Sequence, residues 1–163
     1  MNVRPNNQSD QTDVRSGLTL IDVVITTLIV GIMAAVAAPK FAQFYHTERL
    51  KAAGQRVVTD LRLIQSWAAT TSTSQTVTFF PLLNGYSVAG GLMNPQRPSE
   101  PFKTRLRQPP YLSHVVSAVF EGDQTLVFNG LGQPDSGGNI VIASGGQSLM
   151  ISVNAVTGKA AVQ

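Results

Sequence analysis

A long apolar segment near the N-terminus, residues 18–38, constrains the fold of this chain more than any other feature. It carries a single ionisable side chain, Asp22, and is followed directly by Pro39. As an α-helix with a rise of about 1.5 Å per residue it spans roughly 30 Å, the thickness of the hydrocarbon core of a bilayer. A domain this small rarely buries such a helix on every face. We therefore predict a membrane-spanning helix that kinks or breaks at the proline.

Asp22 is the residue of this segment that conflicts with a lipid environment. A carboxylate in hydrocarbon is costly unless it takes up a proton or finds a cationic partner. The residues before Asp22 suggest a cationic partner. The segment 16–22, SGLTLID, resembles the processing motif of type IV pilins and of the pseudopilins of type II secretion, where a cleavage glycine precedes a hydrophobic residue and a nearby carboxylate.

The resemblance assigns a role to four residues. It implies that a prepilin peptidase, which is also an N-methyltransferase, cuts after Gly17 and methylates the new amine of Leu18. It implies that Asp22 pairs with this amine on a neighbouring subunit during filament assembly, at a position where the family usually has glutamate. Pro39 falls where pilins usually place a helix-bending proline.

The polar segment 1–17 lacks the basic head, apolar middle and small-residue exit of an ordinary secretory signal. By the resemblance it is a cytoplasmic leader, and residues 18–38 form a single transmembrane pass in the lipid of the bacterial inner membrane. The C-terminal head would then lie in the periplasm. Basic residues flank the apolar segment on both sides, so their count alone does not set this orientation.

Helical periodicity continues beyond the membrane segment, over residues 39–70. Apolar residues recur there at steps of three and four: Leu50, Ala53, Val57, Leu61, Ile64 and Ala68. The pattern predicts an amphipathic stem helix whose apolar stripe faces a core, with charged residues such as Arg56 and Asp60 largely on its other faces. We place Trp67 in that core, because a large aromatic side chain near such a stripe is usually buried.

The remaining residues, 71–163, have the pattern of a β-rich head. Seven short strands are predicted, over residues 76–80, 86–89, 115–120, 125–129, 139–143, 149–154 and 159–162. Glycine-containing turns separate them at close intervals, which favours antiparallel hairpins. We therefore predict an α+β fold, in which a long N-terminal helix with a transmembrane first half packs its second half on an antiparallel β-sheet.

The C-terminal half also resembles the H-type (GspH/FimT-like) pseudopilins. The resemblance rests on the segment 128–134 (FNGLGQP), on a hairpin at Gly145 and Gly146, and on the terminal segment 156–159 (VTGK). It implies a structural role as a minor pseudopilin in a type II secretion pseudopilus that promotes protein export. The alternative within the same family is a minor type IV pilin that serves pilus assembly, adhesion or DNA uptake.

A proline-rich segment, residues 91–112, is predicted to be an irregular loop with excess positive charge. Its basic residues are Arg97, Lys103, Arg105 and Arg107, and its one acidic residue is Glu100. Long loops in small domains are often functional, so this surface is a candidate for binding another pilin subunit, an acidic partner or a nucleic-acid backbone. An ordinary solvated loop is the alternative. Nucleic acid is the less favoured partner, since the C-terminal segment 158–161 (GKAA) offers one lysine only.

The sequence offers little for catalysis, and we predict that the chain is not an enzyme. The chain has no cysteine and two histidines, which excludes thiolate chemistry and leaves no cluster with metal-ligand spacing. Ser136 lies in an Asp-Ser-Gly-Gly segment, but neither His46 nor His114 has the surroundings of a triad base, so we predict a hairpin turn there. Gly130 and Gly132 lack the rest of a dinucleotide fingerprint. No cofactor or metal site is therefore expected.

Overall fold

The computed structural model describes residues 19–95 and 97–163 of the chain. It divides into two compact units, Met1–Pro39 and Lys40–Gln163. Helix α1 runs over Leu20–Thr71 and contains Pro39 in its interior. The helix therefore does not break at this proline. Pro39 removes one backbone donor, but the turns on either side keep their own hydrogen bonds, so the helix continues.

In the first unit, the described residues form the start of α1. Its apolar side chains from Leu20 to Val36 are exposed throughout. In the part of the chain that the structure describes, α1 is the one helix long and apolar enough to cross a membrane, and none of its most apolar stretch is buried. Its length and composition are compatible with a membrane anchor.

In the second unit, the described residues form ten short strands after the helix. They are β1 (Gln75–Phe80), β2 (Gly85–Ala89), β3 (Met93–Asn94), β4 (Arg97–Pro101), β5 (Lys103–Arg105), β6 (His114–Phe120), β7 (Thr125–Phe128), β8 (Gly138–Ser144), β9 (Gln147–Val153) and β10 (Ala160–Val162). The strands form two four-stranded sheets, ordered β5-β2-β1-β7 and β10-β9-β8-β6, and a two-stranded ribbon of β3 and β4. Every described pairing is antiparallel. The predicted α+β class is therefore confirmed.

The segment 91–112 is more regular than its prolines suggested. It contains β3, β4 and β5, whereas the sequence predicted an irregular loop. Proline is tolerated at strand edges, where its missing N–H faces solvent. In β4, Pro98 is the second residue and Pro101 the last, and the strand lies in a two-stranded ribbon in which each strand has one free edge. The local sequence disfavours strands in this segment. Strands form there because β3 and β4 pair with each other and β5 pairs with β2.

The apolar stripe of the stem helix packs against the strands, as predicted. All six stripe residues are buried in the head core, together with side chains from both four-stranded sheets. Phe79 lies near the middle of this core, with ring centroids 5.3 Å from Tyr86 and 5.7 Å from Phe120. The placement of Trp67 was wrong, because its side chain is 40% exposed. The neighbouring Ala68 takes the inward position, which leaves the indole at the flank of the stripe.

The glycine turns differ in what they connect. Gly145 and Gly146, both with positive φ, join β8 and β9 in the predicted hairpin. The turn packs so closely on α1 that a side chain at Gly145 would overlap the ring of His46. The predicted hairpin at Ser136 is wrong, since β7 and β8, which flank this serine, belong to different sheets. The segment is a crossing between sheets.

Candidate functional site

The sequence-predicted N-terminal site is described in part. Gly17 and Leu18 lie outside the described residues, and Asp22 lies in the first turn of α1. The Asp22 carboxylate accepts hydrogen bonds from the backbone N–H of Thr19 (3.1 Å) and from its hydroxyl (2.6 Å). In return, the backbone N–H of Asp22 donates to the Thr19 hydroxyl oxygen (3.3 Å). This is the reciprocal arrangement of a capping box, which satisfies backbone donors at a helix N-terminus.

The capping box gives Asp22 a partner within its own chain. Thr19 donates two hydrogen bonds to the Asp22 carboxylate, which is therefore hydrogen-bonded within a single subunit. Further along, the hydroxyls of Thr26 and Thr27 donate to backbone carbonyls one turn earlier, which removes their polarity from the helix surface. These two hydroxyls are therefore satisfied within the helix, as a lipid environment requires, whereas both hydrogen bonds to Asp22 end on one carboxylate oxygen, Oδ2.

Three of the four candidate basic residues line one cavity of about 330 Å³ on the head. They are Arg97, Lys103 and Arg105, and the structure adds Arg56 from the stem helix and Tyr111 to the same wall. Arg107 is separate, because it lines a second cavity with His114. The sequence analysis grouped all four residues on one surface, whereas the structure divides them between two cavities. We call the first cavity, whose wall includes Arg56, Arg97, Lys103, Arg105, Tyr111 and the carboxylate of Glu100, the basic cavity.

Strand β5 positions two of these cations. It forms an edge of its sheet, and its residues pair with β2 in the register Gly85 to Arg105 and Ser87 to Lys103. Side chains alternate along a strand, so Lys103 and Arg105 share the exposed face while Thr104 points inward. The close approach of β5 needs a glycine at position 85, where a Cβ would overlap the carbonyl oxygen of Thr104.

A buried carboxylate, Asp60, lies directly behind the basic cavity. One of its oxygens, Oδ2, accepts hydrogen bonds from Arg56 Nε (2.9 Å), from the Tyr86 hydroxyl (2.5 Å) and from the Thr104 hydroxyl (3.1 Å). The Asp60 side chain is 4% exposed, against 28% for Arg56. Helix α1, the inner strand β2 and the edge strand β5 are therefore joined through a single oxygen atom.

The sequence interpretation misplaced Asp60, which it put on a solvent-facing side of the helix. A signal for burial was present, because Asp60 lies three residues after Val57 and four before Ile64, both on the buried stripe. Arg56 is four residues earlier, the spacing of a helical ion pair. A carboxylate that falls on an apolar stripe needs donors from elsewhere in the fold, and Tyr86 and Thr104 supply them.

Burial raises the pKa of the Tyr86 phenol well above its usual range, and the charge of Asp60 adds to this effect. The phenol stays neutral in the folded head while it ionises in the unfolded chain above about pH 10. Its contribution to stability is therefore complete below that pH and is lost as the pH rises further. We expect Tyr86→Phe to lower the free energy of unfolding by about 1–2 kcal/mol at pH 7, and to flatten the loss of stability above pH 10.

The measurement is urea unfolding of the full chain in detergent, followed by circular dichroism at intervals from pH 7 to beyond pH 10. Tyr45→Phe is the matched control, because Tyr45 is exposed on α1. An alkaline loss of stability that is as steep in Tyr86→Phe as in the wild type would contradict the assignment.

Ser136 does not join a catalytic arrangement with a histidine. Its hydroxyl donates to the carboxylate of the adjacent Asp135 (3.1 Å), which also accepts from the backbone of Val127. His46 instead contacts the Ser144 hydroxyl (3.4 Å). Over residues 19–95 and 97–163, no group of three or more His, Asp or Glu side chains is placed to hold a metal ion.

Comparisons with known proteins give one family and one fold. Residues 53–158, more than half of the chain, match the family described as type II transport protein GspH. The fold is similar to that of the type IV minor pilin FimU of Pseudomonas aeruginosa (strain PAO1) in space group P21, with a TM-score of 0.52 at 14% identity. This alignment covers 72% of the chain and 90% of the pilin. The likeness shows that the helix and sheets have a pilin-like arrangement.

The same pilin in space group P65 aligns with a TM-score of 0.49 at 14% identity, covering 70% of this chain and 92% of the pilin. A comparison with curated protein sequences gives no match.

Proposed function

This chain belongs to the GspH family of type II transport proteins, and from that membership we propose that it is a structural minor pseudopilin of a type II secretion pseudopilus. The family match is the observation that carries the proposal. The apolar start of α1 supports it, because a filament subunit of this kind is held in the membrane before assembly. We propose no enzymatic activity: the subunit acts by packing against other pilins and pseudopilins.

We propose three steps for the subunit: processing, anchoring in the membrane and assembly into a filament. A prepilin peptidase and N-methyltransferase removes residues 1–17 and methylates the amine of Leu18. The apolar helix holds the mature chain in the inner membrane with its head in the periplasm, and assembly withdraws it into a filament. Apolar packing of the helices drives assembly, and Asp22 of one subunit pairs with the Leu18 amine of the next. A separate ATPase powers growth of the filament, which moves folded cargo outward.

We expect Asp22→Ala to insert in the membrane and to be processed, but to enter filaments poorly, because the new amine then lacks its anionic partner. Asp22→Asn sharpens this prediction. Its amide oxygen can still accept the hydrogen bonds that Thr19 donates, but it carries no charge. The measurement is the fraction of each variant that co-purifies with sheared filaments from cells that lack the wild-type gene.

Thr19→Ala is the matched control, since it removes the capping partner and keeps the carboxylate. We expect it to assemble at near the wild-type level while Asp22→Asn does not. Equal incorporation of all variants would show that neither the charge nor the cap is required. A defect in Thr19→Ala alone would assign Asp22 to helix capping rather than to subunit pairing.

A role as a minor type IV pilin is the second candidate, and the similarity of fold to the type IV minor pilin FimU favours it. Deletion of the gene separates the two functions. Loss of secreted enzymes from the culture medium with normal pili supports the pseudopilin, whereas loss of pili, adhesion or DNA uptake with normal secretion supports the pilin. Complementation with Ser136→Ala should restore either phenotype fully, in agreement with a structural role.

A further inference from the structure

We propose that the start of the stem helix docks on the surface of an anionic phospholipid bilayer, through an aromatic face that is flanked by cations. We call the surface made of Phe41, Phe44 and Tyr45 the aromatic face. The proposal deepens the proposed function and rests on it, since it adds a second membrane contact to the proposed transmembrane segment 18–38. The partner is the headgroup layer of the bilayer, and the surface that binds it belongs to the second unit of the chain.

The three aromatic side chains form one exposed face of α1. Their spacing of three and four residues places them on the same side of the helix. Phe41, Phe44 and Tyr45 are 63%, 60% and 59% exposed. The rings of Phe44 and Tyr45 lie edge to face, with centroids 6.4 Å apart. A contiguous apolar patch of this kind marks a contact with a protein or a membrane.

The aromatic face begins where the apolar segment ends. Helix α1 is continuous across this point. Phe41 follows residue 38 by three residues, about 4.5 Å of helix, and the headgroup layer on each side of the hydrocarbon core is roughly 5–8 Å thick. Phe44 and Tyr45 begin about one turn further on, and their rings reach back towards the same layer because helical side chains lean towards the N-terminus. Aromatic residues are enriched at this depth, so the position favours lipid as the partner.

The opposite side of these turns is covered by the head. Leu50 is buried in the core, and the hydroxyl of Thr47 donates to the side chain of Gln147 at the start of β9 (2.7 Å). The turn at Gly145 packs against the ring of His46. The aromatic face is therefore the side of the helix on which a bilayer can dock.

Cations flank the aromatic face. Lys40 is exposed and Arg49 is partly exposed, and neither makes an ion pair with any residue that the structure describes. The nearby acidic residue Glu48 is paired with Lys51 (3.0 Å), so these two charges offset each other. Long basic side chains can lie along an apolar surface and place their charge among the phosphates. The two remaining positive charges favour anionic over zwitterionic lipid.

Spin labels on single cysteines test where the aromatic face lies, since the chain has no cysteine of its own. The full chain is placed in nanodiscs of phosphatidylcholine and phosphatidylglycerol, with one chain in each disc. We expect a label at Phe44→Cys to collide mainly with oxygen, which dissolves in lipid, and a label at Gln43→Cys to collide mainly with a water-soluble nickel complex. Gln43 is the matched control, because it adjoins Phe44 along the helix but lies on the side of Thr47, four residues later.

Removal of the flanking charge tests the preference for anionic lipid. Each cation near an anionic surface favours the bound position by roughly fivefold. We therefore expect Lys40→Gln with Arg49→Gln to lower the ratio of lipid-facing to water-facing label at position 44 by more than about tenfold. Discs of phosphatidylcholine alone should lower this ratio in the same direction. Lys159→Gln is the control and should not change it, since Lys159 is an exposed cation whose neighbour Gly158 packs on Gln65, far along α1 from the aromatic face.

A third label, at Ile29→Cys within the apolar segment, separates this proposal from the proposed function. Oxygen contact at position 29 with nickel contact at position 44 would overturn the docking face and leave the proposed membrane anchor intact. Nickel contact at both positions would overturn both.

Two further results would also overturn the proposal. Protection of position 44 from the nickel complex only in discs that hold two or more chains would assign the aromatic face to a protein partner. Equal ratios with and without phosphatidylglycerol would show that anionic lipid is not the ligand.

Discussion

Replacing Asp60 with alanine is expected to lower the free energy of unfolding of the head by about 3 kcal/mol, near the lower limit for breaking a buried ion pair. The substitution removes the acceptor shared by Arg56, Tyr86 and Thr104. The Tyr86 hydroxyl is then left buried without this partner, and the Arg56 guanidinium loses its counter-charge. A penalty of this size should lower the midpoint of thermal unfolding by roughly 10 °C.

The measurement is thermal unfolding of the full chain in detergent, followed by the near-ultraviolet circular dichroism of the core aromatic residues. Asp123→Ala is the matched control, because it removes an exposed carboxylate without a partner and should change the free energy of unfolding by less than about 0.5 kcal/mol. Asp60→Asn keeps the side-chain volume and an acceptor oxygen, so its cost should fall between the two. Equal unfolding midpoints for Asp60→Ala and Asp123→Ala would contradict a structural role for the buried network.

Gly17→Leu is expected to block maturation completely in cells that contain the prepilin peptidase. The proposed cut follows this residue, and a glycine lets the backbone of an extended substrate approach an active site closely. A leucine side chain would stand between the scissile bond and the enzyme. The uncut chain would retain residues 1–17 and would have no Leu18 amine to pair with Asp22, so we also expect it to be absent from filaments.

Mass spectrometry of the membrane-bound chain separates the two forms, since a chain cut as proposed begins at Leu18 and an uncut chain at Met1. Ser16→Ala is the control, because it changes the neighbouring residue and leaves the glycine in place. Normal maturation of the Gly17→Leu chain would falsify the processing assignment.

The elements that the sequence predicted best are those in which local pattern and tertiary contacts agree. The stripe from Leu50 to Ala68 repeats at helical spacing, and the same residues are buried in the head core. The hairpin at Gly145 and Gly146 has turn residues that accept positive φ, so its local chemistry is sufficient to define it. In both cases the information lies within a few residues of the feature.

The elements that the sequence missed depend on partners far along the chain. Strand β5 exists because β2 offers it an edge, and Gly85 permits the close approach. Asp60 is buried because hydroxyls from β2 and β5 reach it, 26 and 44 residues later. A charged residue alone does not reveal such donors, so the sequence interpretation put Asp60 on a solvent-facing side of the helix, although its spacing from Val57 and Ile64 matches the buried stripe.

The sequence identified the basic residues of the candidate site, but it did not show which of them line the same cavity. Three basic residues of the segment 91–112 do line one cavity, and the fourth, Arg107, lies in another. Strand pairing decides this division, since it fixes which side chains of β5 face the same direction. The contribution of Arg56 came from a different element and could not be read from the loop sequence.

Arg56 belongs both to the buried network and to the wall of the basic cavity. The Arg56 guanidinium therefore contributes both to the surface of the cavity and to the buried Asp60 network. The cavity exists only in the folded head, so an anion that binds there binds the folded state alone. By mass action, such an occupant shifts the folding equilibrium towards the native form. An anion bound there would therefore raise the free energy of unfolding of the whole head, including the core that the Asp60 network joins.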